Sequence, residues 1–213
     1  MRRRVISVVV VGLAVALTGP AFATGKQVIC WDTIGGSYIP FYGASRNAMR
    51  YQALIDQLQI KYAGNINQVE LHSWRGTAGT FYDYKLILCH CGSGSLSATF
   101  ASNYKGTPVT VANLSTFNIL ALPGWFGLGM TTTPFTYNNT DHLLIEIQWN
   151  RDNNVNVGVD FGSLAAGYHR LWVDNPQGSQ GTLDRYTCYT RLSFGAYTAG
   201  PPTSLGRVKA IFK

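Results

Sequence analysis

Apolar and polar residues alternate with a period of two along most of the chain, the pattern of half-buried β-strands. Seven segments show it and are predicted to be strands: residues 66–72, 82–91, 143–149, 155–161, 168–173, 186–194 and 207–212. Clusters rich in Gly, Asn, Asp, Ser and Pro separate several of them, at 92–95, 138–141, 151–154 and 175–178. Short strands joined by such turns are typical of antiparallel sandwiches. The sequence therefore predicts an all-β, single β-sandwich of jelly-roll type.

Two segments carry more specific predictions. In 143–161, four apolar residues share one face before a polar turn and four can share a face after it, which favours a central hairpin. Residues 47–62 fit either helical or strand spacing. We favour a strand followed by a turn there.

The N-terminus has the pattern of a secretory signal peptide. Arg2, Arg3 and Arg4 precede an apolar run over 5–17, and an Ala-Phe-Ala cleavage site ends at Ala23. The run is shorter than the roughly 20 residues that span a bilayer. We therefore expect a cleaved signal peptide at 1–23, one domain at 24–213, secretion to the extracellular space or cell surface, and no transmembrane anchor after cleavage.

Cleavage changes the charge of the chain. The full sequence has a net charge of +7, but losing the three leading arginines leaves 14 basic residues against 10 acidic ones, a net charge of +4. These charges are spread thinly and form no basic cluster longer than a pair. We expect no nucleic-acid partner, because binding to nucleic acid needs a concentrated basic patch.

Four cysteines, Cys30, Cys89, Cys91 and Cys188, follow the predicted cleavage site. Thiols of exported proteins commonly form disulfides. Cys89 and Cys91 lie two apart on one face of a predicted strand, so we expect each to pair with Cys30 or Cys188 rather than with the other. A metal site at Cys89–Cys91 is disfavoured, because alternation points His90 to the opposite face.

The last segment, 205–213, follows a Gly-Pro-Pro linker. We expect it to be the final strand of the sheet, with donation to a neighbouring subunit in a surface assembly or filament as the alternative.

Three stretches resemble a known family. They are LSATFASNY at 96–104 with GTP at 106–108, PFTYNN at 134–139 with LLIEI at 143–147, and YIPFY at 38–42 with RYQ at 50–52. Together they resemble a β-sandwich module of secreted and cell-surface bacterial proteins, largely of unknown function. The resemblance spans most of 37–161 and implies fold and location. It leaves open whether 162–213 completes the same sandwich.

Catalytic motifs are absent from the sequence. It has no Gly-x-Ser-x-Gly elbow, no His-Glu-x-x-His motif and no Gly-rich phosphate loop with a lysine. The four histidines, 72, 90, 142 and 169, are interpreted as solvated strand or turn residues. Glu70 and Glu146, the only glutamates, would be the acids of a glycoside hydrolase. We instead expect both to face solvent opposite the core.

Residues 152–160 place oxygen-bearing side chains at alternating positions, as calcium loops do. The candidate ligands are Asp152, Asn154, Asn156 and Asp160. A hairpin turn explains the same pattern, so no cofactor is expected and calcium remains the alternative.

Aromatic residues make up 13% of the chain. Aromatic ring faces match the apolar faces of sugars. Tyr38, Phe41, Tyr42, Trp125 and Phe126 are therefore the candidate ligand-binding residues, with core packing as the competing interpretation. Overall, the sequence favours a non-catalytic structural or adhesive module whose partners are other extracellular proteins or copies of itself. Polysaccharide binding is the first alternative and glycoside hydrolysis the second.

Overall fold

The structure, a computed structural model, describes residues 23–29, 35–120, 123–131, 134–163 and 166–199, without the side chains of 23, 24 and 196–199. The predicted signal peptide up to residue 22 and the predicted strand at 205–213 lie outside these residues. The described part contains fifteen strands and three short 3-10 turns. The strands are β1 Ala23–Ile29, β2 Gly35–Ser37, β3 Met49–Ile55, β4 Tyr62–Ser73, β5 Gly79–Cys91, β6 Lys105–Ile119, β7 Gly124–Gly127, β8 Phe135–Tyr137, β9 His142–Trp149, β10 Arg151–Asp152, β11 Val159–Ser163, β12 Arg170–Val173, β13 Thr182–Asp184, β14 Tyr186–Cys188 and β15 Thr190–Ala199.

The strands form three antiparallel sheets. The first has the order β1-β15-β4-β7, with β8 also paired to β4. The second has the order β10-β5-β9-β3-β12-β13, with β6 also paired to β5. A small third sheet has the order β14-β11-β2. The predicted all-β antiparallel sandwich is confirmed. Strands beyond residue 161 pair with early ones, since β12 pairs with β3 and β15 pairs with β1 and β4.

One apolar core lies between the two larger sheets. Every second residue of the central strands points into it, as the alternating pattern requires. Its members from the first sheet include Ile66, Val69 and Leu192, and those from the second include Tyr51 and Trp149. All five are fully buried.

The predicted hairpin over 143–161 is wrong. Strand β9 lies between β3 and β5, whereas β11 begins only at Val159 and pairs with β2 and β14 in the small sheet. The turn at 151–154 does form, with Asn154 at a φ of 61°. The segment 47–62 behaves as predicted, because strand β3 is followed by a 3-10 turn at Gln57–Gln59.

The cysteines do not form the predicted bonds. Cys89 and Cys91 belong to a small apolar cluster on the outer face of the second sheet, whereas Cys188 lies in the main core, with its Sγ 3.3 Å from Oη of Tyr51. A sheet therefore separates Cys188 from the other two, and all three are free thiols. Burial raises the pKa of each, that of Cys188 to about 11. Cys30 lies outside the described residues.

Glu146 is buried, which corrects the solvent-facing interpretation. Its carboxylate has no exposed surface and accepts hydrogen bonds from Arg50, Gln52, Tyr104 and Gln148. Burial and the adjacent carboxylate raise the pKa of the Tyr104 hydroxyl to about 12. Segments 50–52, 96–104 and 143–147, three of those that carry the family resemblance, thus meet at one buried carboxylate.

Candidate functional site

The loop after β2 holds Tyr38 and Tyr42 at the surface by burying Phe41, which lies between them. Phe41 has no exposed surface and packs in the core. The carbonyl of Pro40 accepts a hydrogen bond from Nε1 of Trp149 at 2.9 Å, which fixes the backbone beside it. Tyr38 and Tyr42, on either side of this anchor, remain partly exposed.

Trp74 follows β4 and has 44% of its surface exposed. The Nε1–Cε2 side of its indole lies against Gly36 and Gly158. A β-carbon on either glycine would stand 2.6 Å from Nε1, closer than real contacts allow. Two glycines that lie far apart in sequence therefore create the seat for this ring and set its orientation. The indole N–H has no acceptor among the residues that the structure describes.

The two partly exposed tyrosine rings and the exposed ring of Trp74 form a row. The ring centroids of Trp74 and Tyr38 are 6.2 Å apart, and those of Tyr38 and Tyr42 are 5.6 Å apart with an interplanar angle of 18°. We call Tyr42, Tyr38 and Trp74 the aromatic strip. Its far end meets Arg46, whose guanidinium lies 5.4 Å from the Tyr42 ring and is paired with Asp174.

Arg75 flanks the strip. Its Nη1 donates a hydrogen bond to Oη of Tyr38 at 3.0 Å, and its guanidinium lies 6.0 Å from the centroid of the Trp74 ring. The buried hydroxyl of Ser73 donates to the carbonyl of Arg75 at 2.6 Å and fixes the turn. The cation is thus positioned by both its backbone and its side chain.

A histidine–aspartate pair lies on the same surface. Nδ1 of His72 is bonded to Oδ2 of Asp160. Asp160 is the register partner of Gly36, one of the two glycines that seat Trp74. His72 and Trp74 therefore both lie against the small sheet. The side chain of His72 is 33% exposed and that of Asp160 only 11%.

Trp125 extends this surface along β7. It is the register partner of His72, and the two rings meet edge to face with centroids 5.0 Å apart. The guanidinium of Arg191 lies 4.7 Å from the Trp125 ring and binds Glu70 through two hydrogen bonds of 2.5 Å. These bonds raise the pKa of Arg191. We call Glu70, His72, Trp125, Asp160 and Arg191 the β4 cluster.

The predicted ligand-binding residues separate into two groups. Tyr38, Tyr42 and Trp125 are partly exposed, and Tyr42 and Trp125 also pack against the core. Phe41 must be removed from the candidates because it is fully buried. The ring of Phe126 packs edge-on against Phe41, with centroids 5.9 Å apart, and borders the core.

Sequence reasoning missed Trp74 and Arg75, interpreted His72 as a solvated residue, and considered Asp160 only as a calcium ligand. The available signal was the Ser-Trp-Arg-Gly turn at 73–76, which places a large aromatic residue and a cation at the end of a strand. The interpretation of histidines as solvated also fails for His169, which is 3% exposed.

The hydrolase pair is not assembled. Glu70 is 5% exposed and Glu146 is fully buried, so the solvent-facing interpretation is wrong for both. Glu70 points away from the core on the first sheet, because its neighbours Val69 and Leu71 point inward. Glu146 points away from the core on the second sheet, because Ile145 and Ile147 point inward. The core therefore separates the two carboxylates.

Three of the four calcium candidates are bonded within the protein, whereas the side chain of Asn154 is exposed. Oδ1 of Asp152 accepts from the backbone N–H of Asn154 at 3.0 Å, and Oδ1 of Asn156 accepts from that of Ala44 at 2.9 Å. Asp160 is bonded to His72. The described residues contain no group of three or more His, Cys, Asp or Glu side chains that could hold a metal ion.

Comparisons with known proteins leave the family open. No family model matches the chain, and no curated protein sequence matches it. In the described ranges, no helix is long and apolar enough to cross a membrane. Among solved structures, the chain is similar to the cysteine protease and lectin-like domains of Cwp84, a surface layer associated protein of Clostridium difficile. The likeness has a TM-score of 0.40 and 7% identity, and covers 72% of this chain and 33% of that one. The fold follows from the strand pairing and the site from its side chains, so neither rests on that likeness.

Proposed function

We propose that this chain is a non-catalytic, extracellular adhesive module that attaches by binding polysaccharide along the aromatic strip. One observation carries the proposal: Trp74 is held in a fixed orientation against two glycines while 44% of its surface stays exposed. An aromatic residue without a binding role gains stability by being buried. A ring that is exposed and yet fixed is suited to stacking against a ligand.

The neighbouring groups suit a carbohydrate. A sugar presents an apolar ring face and a rim of hydroxyl groups, so its site needs flat rings beside hydrogen-bonding groups. Here Tyr38 and Trp74 supply the rings. Arg75 supplies donors beside them. Tyr38 and Tyr42 stack on each other, so the exposed ring of Trp74 is the main surface for a sugar and the tyrosines border it.

The carboxylates support binding rather than hydrolysis. Glu70 is paired with Arg191, and Glu146 is paired with Arg50 on the opposite sheet. Glycoside hydrolysis needs two carboxyl groups on either side of one bond. The extracellular location in this proposal is supported by the signal-peptide pattern at 1–23.

The test compares Trp74→Ala with Tyr168→Ala on a panel of insoluble and soluble polysaccharides. Tyr168 is a matched control, because it is also 44% exposed and belongs to neither the strip nor the β4 cluster. We expect wild type and Tyr168→Ala to bind the same polysaccharide and Trp74→Ala to lose at least about tenfold in affinity, or about 1.4 kcal/mol. Circular dichroism checks that both variants fold. Equal binding by Trp74→Ala, or no binding by wild type across the panel, would overturn the proposal.

A further inference from the structure

We propose that the polysaccharide is acidic and that Arg75 binds the carboxylate of its uronic acid residues. This inference rests on the proposed function and assigns the ligand class of the same site. Its basis is the pairing of the arginines, the fixed position of Arg75 and the charges around it.

Four of the seven arginines in the described residues are neutralised by a carboxylate. The pairs are Arg46 with Asp174, Arg50 with Glu146, Arg170 with Asp184 and Arg191 with Glu70. Arg75 is exposed and has no carboxylate within ion-pair distance in the part of the chain that the structure describes. Its one side-chain hydrogen bond goes to a phenol oxygen. A guanidinium has five N–H donors, so most of those on Arg75 face solvent.

The position of Arg75 is set before any ligand arrives. Its contacts with Tyr38 and with the turn at Ser73 hold the guanidinium beside the exposed ring of Trp74. A planar guanidinium binds a carboxylate through two parallel hydrogen bonds. A uronic acid that stacks on the strip therefore presents its carboxylate, at the edge of the sugar ring, to a cation already in place.

The neighbouring acids do not neutralise this cation. Asp160 is 8% exposed and its carboxylate is bonded to His72. Asp174, at the other end of the strip, is paired with Arg46. The free charge on the exposed part of the site is thus the positive charge of Arg75, which complements an anionic ligand.

The probes are polygalacturonate and the same polymer with its carboxyl groups methyl-esterified, with dextran and dextran sulfate as further arms. We expect wild type to bind polygalacturonate at least about tenfold more tightly than the ester, and this preference to weaken as salt is raised. Arg75→Gln should bind the two polymers alike. Arg151→Gln is the matched control, because Arg151 is also exposed, lies 5.3 Å from the Tyr82 ring and has no carboxylate partner among the described residues. It should retain the preference.

The outcomes separate the two proposals. If wild type binds the ester or dextran as tightly as polygalacturonate, the acidic ligand is wrong while polysaccharide binding stands. If Arg75→Gln still prefers polygalacturonate to the ester, the proposal that Arg75 binds the carboxylate is wrong. A preference for dextran sulfate over polygalacturonate overturns the claim that the site selects a carboxylate. Absence of binding to all four polymers, and to the wider panel, overturns the proposed function itself.

Discussion

The indole of Trp74 rests on the backbone of Gly158, with Nε1 only 2.6 Å from the position that a β-carbon on Gly158 would take. No side chain fits in that space without moving the ring. The exposed face of the strip thus depends on a residue that has no side chain and no contact with a ligand.

Substituting Gly158 with alanine should weaken polysaccharide binding by about tenfold. The added methyl group displaces Trp74 from its seat, and the overpacking should lower the free energy of unfolding by about 1–3 kcal/mol. Binding isotherms and urea denaturation measure the two effects. Gly92→Ala is the control, because its β-carbon would meet only the flexible side chain of Lys105, at 3.4 Å. Unchanged affinity in folded Gly158→Ala would show that the seat of Trp74 is unimportant.

The strip also shows where prediction from sequence stops. Tyr38 and Tyr42 could be predicted as binding candidates because they form an aromatic run in one short segment. Trp74 was not, because a lone aromatic residue at a strand end gives no periodic signal. Its role emerges only when Gly36 and Gly158 meet beneath it through the pairing of β2 with β11.

The fold was predictable from local alternation, whereas strand partners were not. The alternating valines of 155–161 fit any strand with a buried face. The N–H of Val157 instead bonds the carbonyl of Phe41, and β11 pairs with β2 and β14. Glu146 illustrates the same limit. Alternation predicts that its side chain points away from the core, but it does not predict that segment 96–104 covers this side chain.

Replacing Glu146 with glutamine should destabilise the protein strongly. The substitution leaves the charge of Arg50, whose side chain is only 16% exposed, without its carboxylate partner. Breaking a buried ion pair costs about 3–5 kcal/mol, which urea denaturation measures directly. Lys105→Gln breaks the pair of Lys105 with Asp141, in which the lysine side chain is 58% exposed, and should cost less than about 1 kcal/mol. Similar costs for the two variants would contradict the structural role of Glu146.

The three described thiols should resist labelling in the folded protein. Cys89, Cys91 and Cys188 are each 1% exposed, and burial raises their pKa values, which lowers the fraction of reactive thiolate. N-ethylmaleimide at pH about 8 should modify them only after urea is added. A Ser102→Cys variant, at an exposed position, should react at once. A disulfide between any two of the three in peptide maps would refute this arrangement.

Stability should fall at alkaline pH, in part because of Cys188. Burial raises the pKa of this thiol from an ordinary value of 9.0 to about 11 in the folded state. Between these values the unfolded chain has lost the proton that the folded protein keeps, so the free energy of unfolding decreases as pH rises. The decrease from this group is about 2–3 kcal/mol.

Cys188→Ala should flatten that pH dependence. Urea denaturation at several pH values from about 7 to 11 measures the slope for both proteins. Tyr51, whose pKa burial also raises, should still contribute to a decline at the alkaline end in the variant. Identical slopes for wild type and variant would exclude the thiol as a source.

The central claim is that the exposed ring of Trp74 contacts polysaccharide, and the indole N–H signal of Trp74 reports changes in the environment of that ring. Trp74 has no acceptor for this group in the described residues, whereas Nε1 of Trp149 is buried and bonded to Pro40. In a proton–nitrogen correlation spectrum, with Trp74 assigned by Trp74→Phe, oligogalacturonate and neutral oligosaccharides are added in turn. The account predicts that the Trp74 signal shifts and saturates with at least one of them while the Trp149 signal stays in place. A Trp74 signal that no oligosaccharide moves, in a protein that still binds the corresponding polysaccharide, would contradict it.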